Sequence, residues 1–518
     1  MKRGNTDLIS LMILLLFLAV SFDCYCDVPR YSVHEIELFS AGTYSSHYKE
    51  VSLTATFKGP DNKEVKVSGF WDGSNVYKIR FTPDAEGKWE YLTSSNDEGL
   101  NKKSGSFKCI SPAPGSHGFL RRDPDYNYHF IYDDGTRYFL FGQTYYHIVS
   151  FAMAGGDWKR SIDGTLSHGM NKIRFHAGIK TDLDPDMLER WKAIDEITRY
   201  MLMHNMTADF IVFNTEGFSS QEQDEAFLRY VISRYAAFPN VSWCLVNEWN
   251  YRPKERDYWN RMGNILKTED PWAVNGNKVR MLSIHQQTRI NFQFFDQNWN
   301  SHVIFQYGVR NKDKDQADEW KNAGSTKYRN GDEWGNAGIL FNMGHNIPVV
   351  NDEYGYIGEP KDDSEKPPVT LTREKHRNII WGIYTAGGYG SAGDKYLYEP
   401  EGRPYMQSFW RDPVEYNDIS HLIEFFTGKG LEFWKMSGHN ELLKSGERVY
   451  ALAEPGKQYV IYSAKGSSFE LFLEPGQYKA RLFNPSTGED VSLGKRKGGD
   501  VRLFEPPDNN DWVIYLKK

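Results

Sequence analysis

From about residue 138 the chain alternates short strand-like runs with helical patterns, and that alternation constrains its fold more than any other feature. The runs lie at 138–142, 172–175, 210–213, 241–246, 281–284, 303–305 and 348–350, with a weaker eighth at 379–386. Between the second and third, Met187, Leu188, Trp191, Ile194, Ile197 and Met201 share one helical face. Between the third and fourth, Phe227, Tyr230, Val231 and Tyr235 do the same. Strand-helix alternation sustained over roughly 300 residues predicts a (β/α)8 TIM barrel, with a doubly wound open sheet as the rival.

The flanks follow a different period. Val51, Leu53, Ala55 and Phe57 alternate with Ser52, Thr54, Thr56 and Lys58, and Gly59-Pro60-Asp61-Asn62 supplies a turn. Short alternating runs of this kind predict an Ig-like β-sandwich over residues 27–112, joined by the Pro/Gly-containing segment 111–116 to a barrel over 117–435. Strand-like text returns beyond Trp434, punctuated by Glu474-Pro475-Gly476 and Asn484-Pro485, and predicts a second, smaller sandwich over 440–518. The expected fold class is therefore multidomain, α/β with all-β flanks. A chain of 518 residues is long enough for about three domains.

Lys2 and Arg3 precede an apolar stretch over 8–20, the charged and hydrophobic regions of a secretory signal over residues 1–26. That stretch is too short to span a bilayer. Cys24 and Cys26 stand as the small residues before a cleavage site at Asp27, or alternatively as a lipid-anchor site. Either way the protein is expected to be exported, to a periplasmic, extracellular or cell-surface location. Cleavage leaves Cys109 and Cys244, too few for a disulfide framework or a zinc site, and no metal or cofactor is expected. A net charge of -7 lacks the basic footprint of a nucleic-acid binder. The oligomeric state is not legible.

In such a barrel, functional groups gather at the C-terminal ends of the strands, where loops vary above a packed interior. The positions there are Tyr146 and His147 after the first run, Arg174 and His176 at the second, and Asn214 and Glu216 after the third. Asn247, Glu248 and Trp249 follow the fourth, His285 the fifth, Tyr307 the sixth, and Asp352 and Glu353 the seventh. Glu248 and Glu353, about a hundred residues apart, suggest two carboxylates meeting over one glycosidic bond. Arg174 is a candidate to hold a carboxylate ionised, or equally a structural ion pair. Trp249, Trp381 and Trp410 are candidate sugar platforms, although buried tryptophans serve packing as well. Asp352 beside Glu353 leaves the second carboxylate ambiguous.

The Asn247-Glu248 pair ending the fourth run, with Glu353 ending the seventh, resembles clan A of the glycoside hydrolases. Gly69-Phe70-Trp71-Asp72-Gly73, Arg80-Phe81-Thr82-Pro83 and Glu86-Gly87-Lys88-Trp89 resemble the Ig-like domain of unknown function, DUF5060, that precedes apiosidase-like barrels. The tail, with Asn484-Pro485-Ser486-Thr487-Gly488 and Asp511-Trp512-Val513, is similar to the collagen-binding type of sandwich that closes such chains. The resemblance implies a retaining glycosidase with Glu248 as general acid/base, Glu353 as nucleophile and Asn247 bonded to the sugar 2-hydroxyl. Some apiosidase-like enzymes use an aspartate in the pair, so glutamates at both positions do not carry apiose specificity.

The expected activity is hydrolysis of O-glycosyl bonds in a complex plant or algal polysaccharide or its oligosaccharides. The alternatives are a non-catalytic glycan-binding protein and a polysaccharide lyase, for which Arg174, His285 and Tyr307 would supply cation and base. Gly388-Tyr389-Gly390-Ser391-Ala392-Gly393 matches a dinucleotide-binding string without a βαβ unit after it, and reads as the loop following strand eight. Asp313, Asp315, Asp318 and Glu319 resemble a calcium loop only in charge and read as a solvated loop.

Overall fold

The computed structural model describes residues 27–177, 185–213, 220–287, 291–306, 331–357, 372–394 and 414–518. The expected signal segment with Cys24 and Cys26, the acidic segment 313–319, and Asn214, Glu216, Tyr307 and Trp410 lie outside these residues.

At the centre stands a ring of parallel strands. They are Phe141–Thr144, Lys172–His176, Thr207–Phe213, Val241–Val246, Leu282–Ser283, His285–Gln287, Val303–Gln306, Val349–Asn351 and Tyr389–Asp394. The hydrogen-bonded path begins at Leu282–Ser283 and ends at His285–Gln287. Those two segments are one strand interrupted at Ile284, pairing with strand four on one side and strand six on the other, so the path closes into eight strands. The helices Pro185–Met203, Gln221–Tyr235, Arg256–Glu269, Gly331–Met343, Arg373–Thr385 and Glu415–Gly428 follow in the order the apolar periodicity implies. Strands covered by helices outside and side chains inside read as continuous apolar runs: Phe210, Ile211, Val212 and Phe213 are all buried.

Two strands differ from expectation. Residues 379–385 belong to the helix Arg373–Thr385, and the eighth strand is Tyr389–Asp394, the glycine-rich string read as a loop. A Cβ on Gly388 would stand 2.5 Å from Ile339, and one on Gly390 would stand 3.1 Å from the Tyr354 ring. Close packing selects residues of low strand propensity here, which hid the strand. Tyr138, read as the start of strand one, instead lies in Arg137–Tyr138, which joins Leu120–Arg122 and Phe130–Tyr132 in a small antiparallel sheet. That sheet closes the bottom of the barrel: the Leu120 carbonyl accepts from the Met281 amide, and the Phe130 ring meets His302 and Tyr389.

The N-terminal region packs a five-stranded sheet against a three-stranded one. Its core is continuous with the barrel core. Arg80, buried, donates to Glu35 at 2.8 Å, to Asp195 at 3.1 Å on helix Pro185–Met203, and to the Arg234 carbonyl at 2.8 Å. The C-terminal region pairs a six-stranded sheet with a three-stranded one. In its strand Val449–Glu454, Val449, Ala451 and Ala453 face a separate core, while Tyr450 and Leu452 on the other face join the barrel core. A sheet covered on both faces must be apolar on both, which is why this segment shows no polar alternation.

Candidate active site

Inward-facing positions of strand two are Lys172, Arg174 and His176, every second residue of an otherwise apolar strand. Lys172 crosses the barrel interior to Asp352 at 2.6 Å and Asp209 at 3.0 Å. Gly142 makes room for it, since a Cβ there would lie 2.7 Å from the lysine Cε. Ser391 donates to Asp352 and Ser242 donates to Asp209 at 2.8 Å. This ionic layer replaces the branched apolar residues that fill most barrels of the type. Although burial alone would raise the Asp352 carboxyl, Lys172 and Arg174 outweigh it and hold the group well below the usual carboxylate range.

Arg174 lies one layer higher and is fully buried. Its Nη2 donates to the Asn247 side-chain oxygen, and its Nη1 donates to the Tyr146 hydroxyl at 3.0 Å. The Tyr146 hydroxyl donates in turn to Glu353 Oε2 at 2.6 Å. Arg174 stands 3.7 Å from Asp352 and 3.9 Å from Glu353. Burial, first, and then the negative charges of Glu353 and Glu248 push the Tyr146 phenol well above its ordinary pKa, so both glutamates act on the same hydroxyl.

Glu248 begins the short turn after strand four in a left-handed conformation, φ 55° and ψ 53°. Such backbone in a residue other than glycine is strained and persists only when its surroundings enforce it. Here the Glu248 amide donates to His285 Nδ1 at 3.2 Å. That bond requires a bare Nδ1 and therefore places the imidazole proton on Nε2, which has no partner among the described residues. Burial, with Arg174 nearby, lowers the His285 pKa well below its usual value, so the ring is neutral. Arg252, one turn on, donates from Nε to the Asn247 carbonyl at 2.9 Å and brings Nη2 to 3.7 Å from the Glu248 carboxylate. Glu248 follows six buried strand residues and precedes the half-buried Trp249, neighbours that by themselves would give it an apolar setting. The carboxylate instead faces a guanidinium, because the turn folds Arg252 back over strand four.

His176 stacks on Tyr146 at 5.0 Å, with His147 at 6.2 Å. Burial, then repulsion from His147 when that ring is protonated and from the guanidinium groups of Arg174, Arg190 and Arg252, push the His176 pKa well down. Arg190 donates to the His176 carbonyl at 2.8 Å, supporting the end of strand two from helix Pro185–Met203. Trp249 is half-buried at the rim, its indole N–H on Gln286 at 3.3 Å and its ring edge-on to Phe294. Trp381 is not a sugar platform. It is fully buried on the outer helix Arg373–Thr385, stacked on Tyr462 at 5.6 Å and close to Phe425, Phe426 and Phe483.

The structure thus brings Tyr146, His147, Arg174, His176, Asn247, Glu248, Trp249, His285 and Glu353 to one end of the barrel. It adds Lys172, Asp209, Arg190, Arg252 and Ser391, which strand-end reading passed over. The period-two spacing of Lys172, Arg174 and His176 was the available signal for the first of these. No group of three or more metal-ligating side chains that could hold an ion occurs among the described residues.

A family model described as "Apiosidase-like, catalytic domain" matches residues 125–425. "Domain of unknown function (DUF5060)" matches 27–96, and "Putative collagen-binding domain of a collagenase" matches 440–517. No curated protein matches the chain. Among solved structures, a "putative glycoside hydrolase" from Bacteroides vulgatus ATCC 8482 is 19% identical, with a TM-score of 0.74 over 95% of this chain and 99% of that one. A family 5 glycoside hydrolase from the same organism is 14% identical, with a TM-score of 0.63 over 78% of this chain and 94% of that one. At these identities the likeness establishes the fold.

Proposed function

Because this chain belongs to the apiosidase-like catalytic family and is a glycosidase, we propose that it works by double displacement, with Glu353 as nucleophile and Glu248 as general acid/base. One observation carries the assignment. Of the two adjacent carboxylates after strand seven, Asp352 is fully buried and engaged by Lys172, Arg174 and Ser391, whereas Glu353 meets Tyr146, the group on which Glu248 also acts. A nucleophile must be ionised and reachable, and Asp352 is only the first.

Glu248 attacks nothing itself. It gives a proton to the departing glycosidic oxygen, then as carboxylate takes one from the water that releases the sugar from Glu353. Arg252 at 3.7 Å favours the carboxylate form needed in that second half. Asn247 has its side-chain oxygen engaged by Arg174, which turns its NH2 toward the sugar 2-hydroxyl. The neutral His285, with its proton on Nε2, supplies another donor for a sugar hydroxyl. His176, His147, Tyr307 and Trp249 complete the substrate-binding set.

The proposed substrate is a complex plant or algal polysaccharide or its oligosaccharides, met outside the cytoplasm after export by the segment 1–26. The test is a screen of xylan, xyloglucan, mannan, pectin, laminarin and ulvan with wild type, Glu248→Gln and Glu353→Gln, reading released reducing ends. Glu353→Gln should lose activity by at least about a thousandfold at every pH. Retained activity would move the nucleophile elsewhere. In a complex with product, the two carboxyl groups should lie about 5 to 5.5 Å apart, and a separation beyond roughly 9 Å would exclude the retaining mechanism.

A further inference from the structure

We propose that Tyr146, just beyond the first strand, is a positioning residue whose hydroxyl conveys the charge of Arg174 to the Glu353 carboxylate. The inference rests on the reading of Glu353 as nucleophile.

The Tyr146 hydroxyl carries a single proton. A guanidinium can only donate, so the Arg174 Nη1 bond at 3.0 Å makes the Tyr146 oxygen an acceptor. The proton is left for Glu353 Oε2 at 2.6 Å, and a carboxylate oxygen accepts it best when ionised. Arg174 itself is 3.9 Å from that carboxylate, too far for a hydrogen bond. The phenol therefore supplies the bonded link between cation and nucleophile in this chain of contacts. With its pKa driven far up by burial and by Glu353, Tyr146 stays protonated throughout the working pH range.

The phenol is held from several sides. The residue is 4% exposed, and its ring stacks on His176 and packs with Ile211, Cys244 and Ile304 from three other strands. Its carbonyl accepts from the His176 amide at 3.3 Å. Among the described residues, the ionisable groups around the pair are Arg174 and His176 from strand two, His147 beside His176, Glu248 and Arg252 after strand four, and Asp352 before Glu353. His176 is neutral and Asp352 is bonded to Lys172, so among the described residues neither of them takes the place of the Tyr146 hydroxyl at Glu353.

The test compares Tyr146→Phe with full-length protein carrying 3-fluorotyrosine at position 146, a stronger donor of almost the same shape. The probe is the polysaccharide of the screen that wild type cleaves fastest. Tyr146→Phe should lower kcat about tenfold to a hundredfold with KM within about twofold. The acid limb of its kcat/KM profile should move up by about one pH unit while the alkaline limb stays in place. The fluorotyrosine should move the acid limb down, and it decides the question alone if Tyr146→Phe does not fold. Acid limbs unchanged in the folded variants, or both limbs moving together, would overturn the proposal. If Glu353→Gln is inactive in those same assays, the nucleophile reading survives that failure; if Glu353→Gln is active, both fall.

Discussion

At the scale of single residues, the decisive contrast is between Asp352 and Glu353. Adjacent in sequence, one faces the barrel interior and is consumed by Lys172, while the other emerges at its mouth. A buried ion pair is fragile to the loss of one partner, because the remaining charge has no water. Lys172→Met should therefore destabilise the protein by about 3 to 5 kcal/mol in urea unfolding, leaving Asp352 and Asp209 uncompensated. An unchanged midpoint would show that the layer is not what holds strands two, three and seven. A second carboxylate, Asp97, is desolvated, yet amide bonds from Ala41, Gly42 and Gly99 and the Tyr44 hydroxyl outweigh that and bring it down to about 2. A depressed folded-state pKa stabilises above the unfolded value and is lost as pH falls through the folded one. Asp97→Asn should cost about 1 to 2 kcal/mol at neutral pH, and the difference from wild type should close as pH falls from about 4 to 2 in denaturant titrations.

Elements show why local pattern misplaced some features and located others. Strand four was readable because six buried residues in a row end at Asn247-Glu248. Strand eight was not, because packing against Ile339 and Tyr354 requires glycine where strand propensity wants branched side chains. Trp381 misled for a related reason: an indole on a helix looks the same in sequence whether it faces a sugar or a second sheet. Its partners are the C-terminal strands and the helix Glu415–Gly428, with Arg377 on the same helix as Trp381 bonded to Asp511 at 2.7 Å. Trp381→Ala should cost about 3 to 5 kcal/mol by leaving a cavity, while the folded fraction keeps the wild-type KM. A raised KM with unchanged thermal stability would restore the platform role.

Across the whole molecule, the barrel core runs without a break into the N-terminal sandwich and onto one face of the C-terminal sheet. Arg80 links sandwich and barrel, and Arg448 reaches back from the C-terminal region to Asp332 at 2.9 Å. Shared cores couple unfolding, so calorimetry should show one transition for barrel and flanks, and separable transitions would contradict this. Acid should weaken that unit early. Burial lowers His129 to about 4 and His302 and His376 to about 3. The unfolded histidines, near 6.5, bind protons that the folded ones refuse, so stability is full above about 6.5 and declines as pH falls toward those folded values. The melting temperature should accordingly drop between about pH 6.5 and 4, and a flat profile over that range would refute the assignment.

The sequence by itself determined the barrel and its two β flanks, because strand and helix periods survive in the order of apolar residues whatever surrounds them. It also located both glutamates at strand ends, since a charge directly after a buried run is visible without coordinates. Only the tertiary structure decided what those carboxylates meet. Tyr146, Arg174, Arg252 and His285 lie on different strands or turns, and nothing in their spacing records that a closed ring brings them within a few bond lengths of one another.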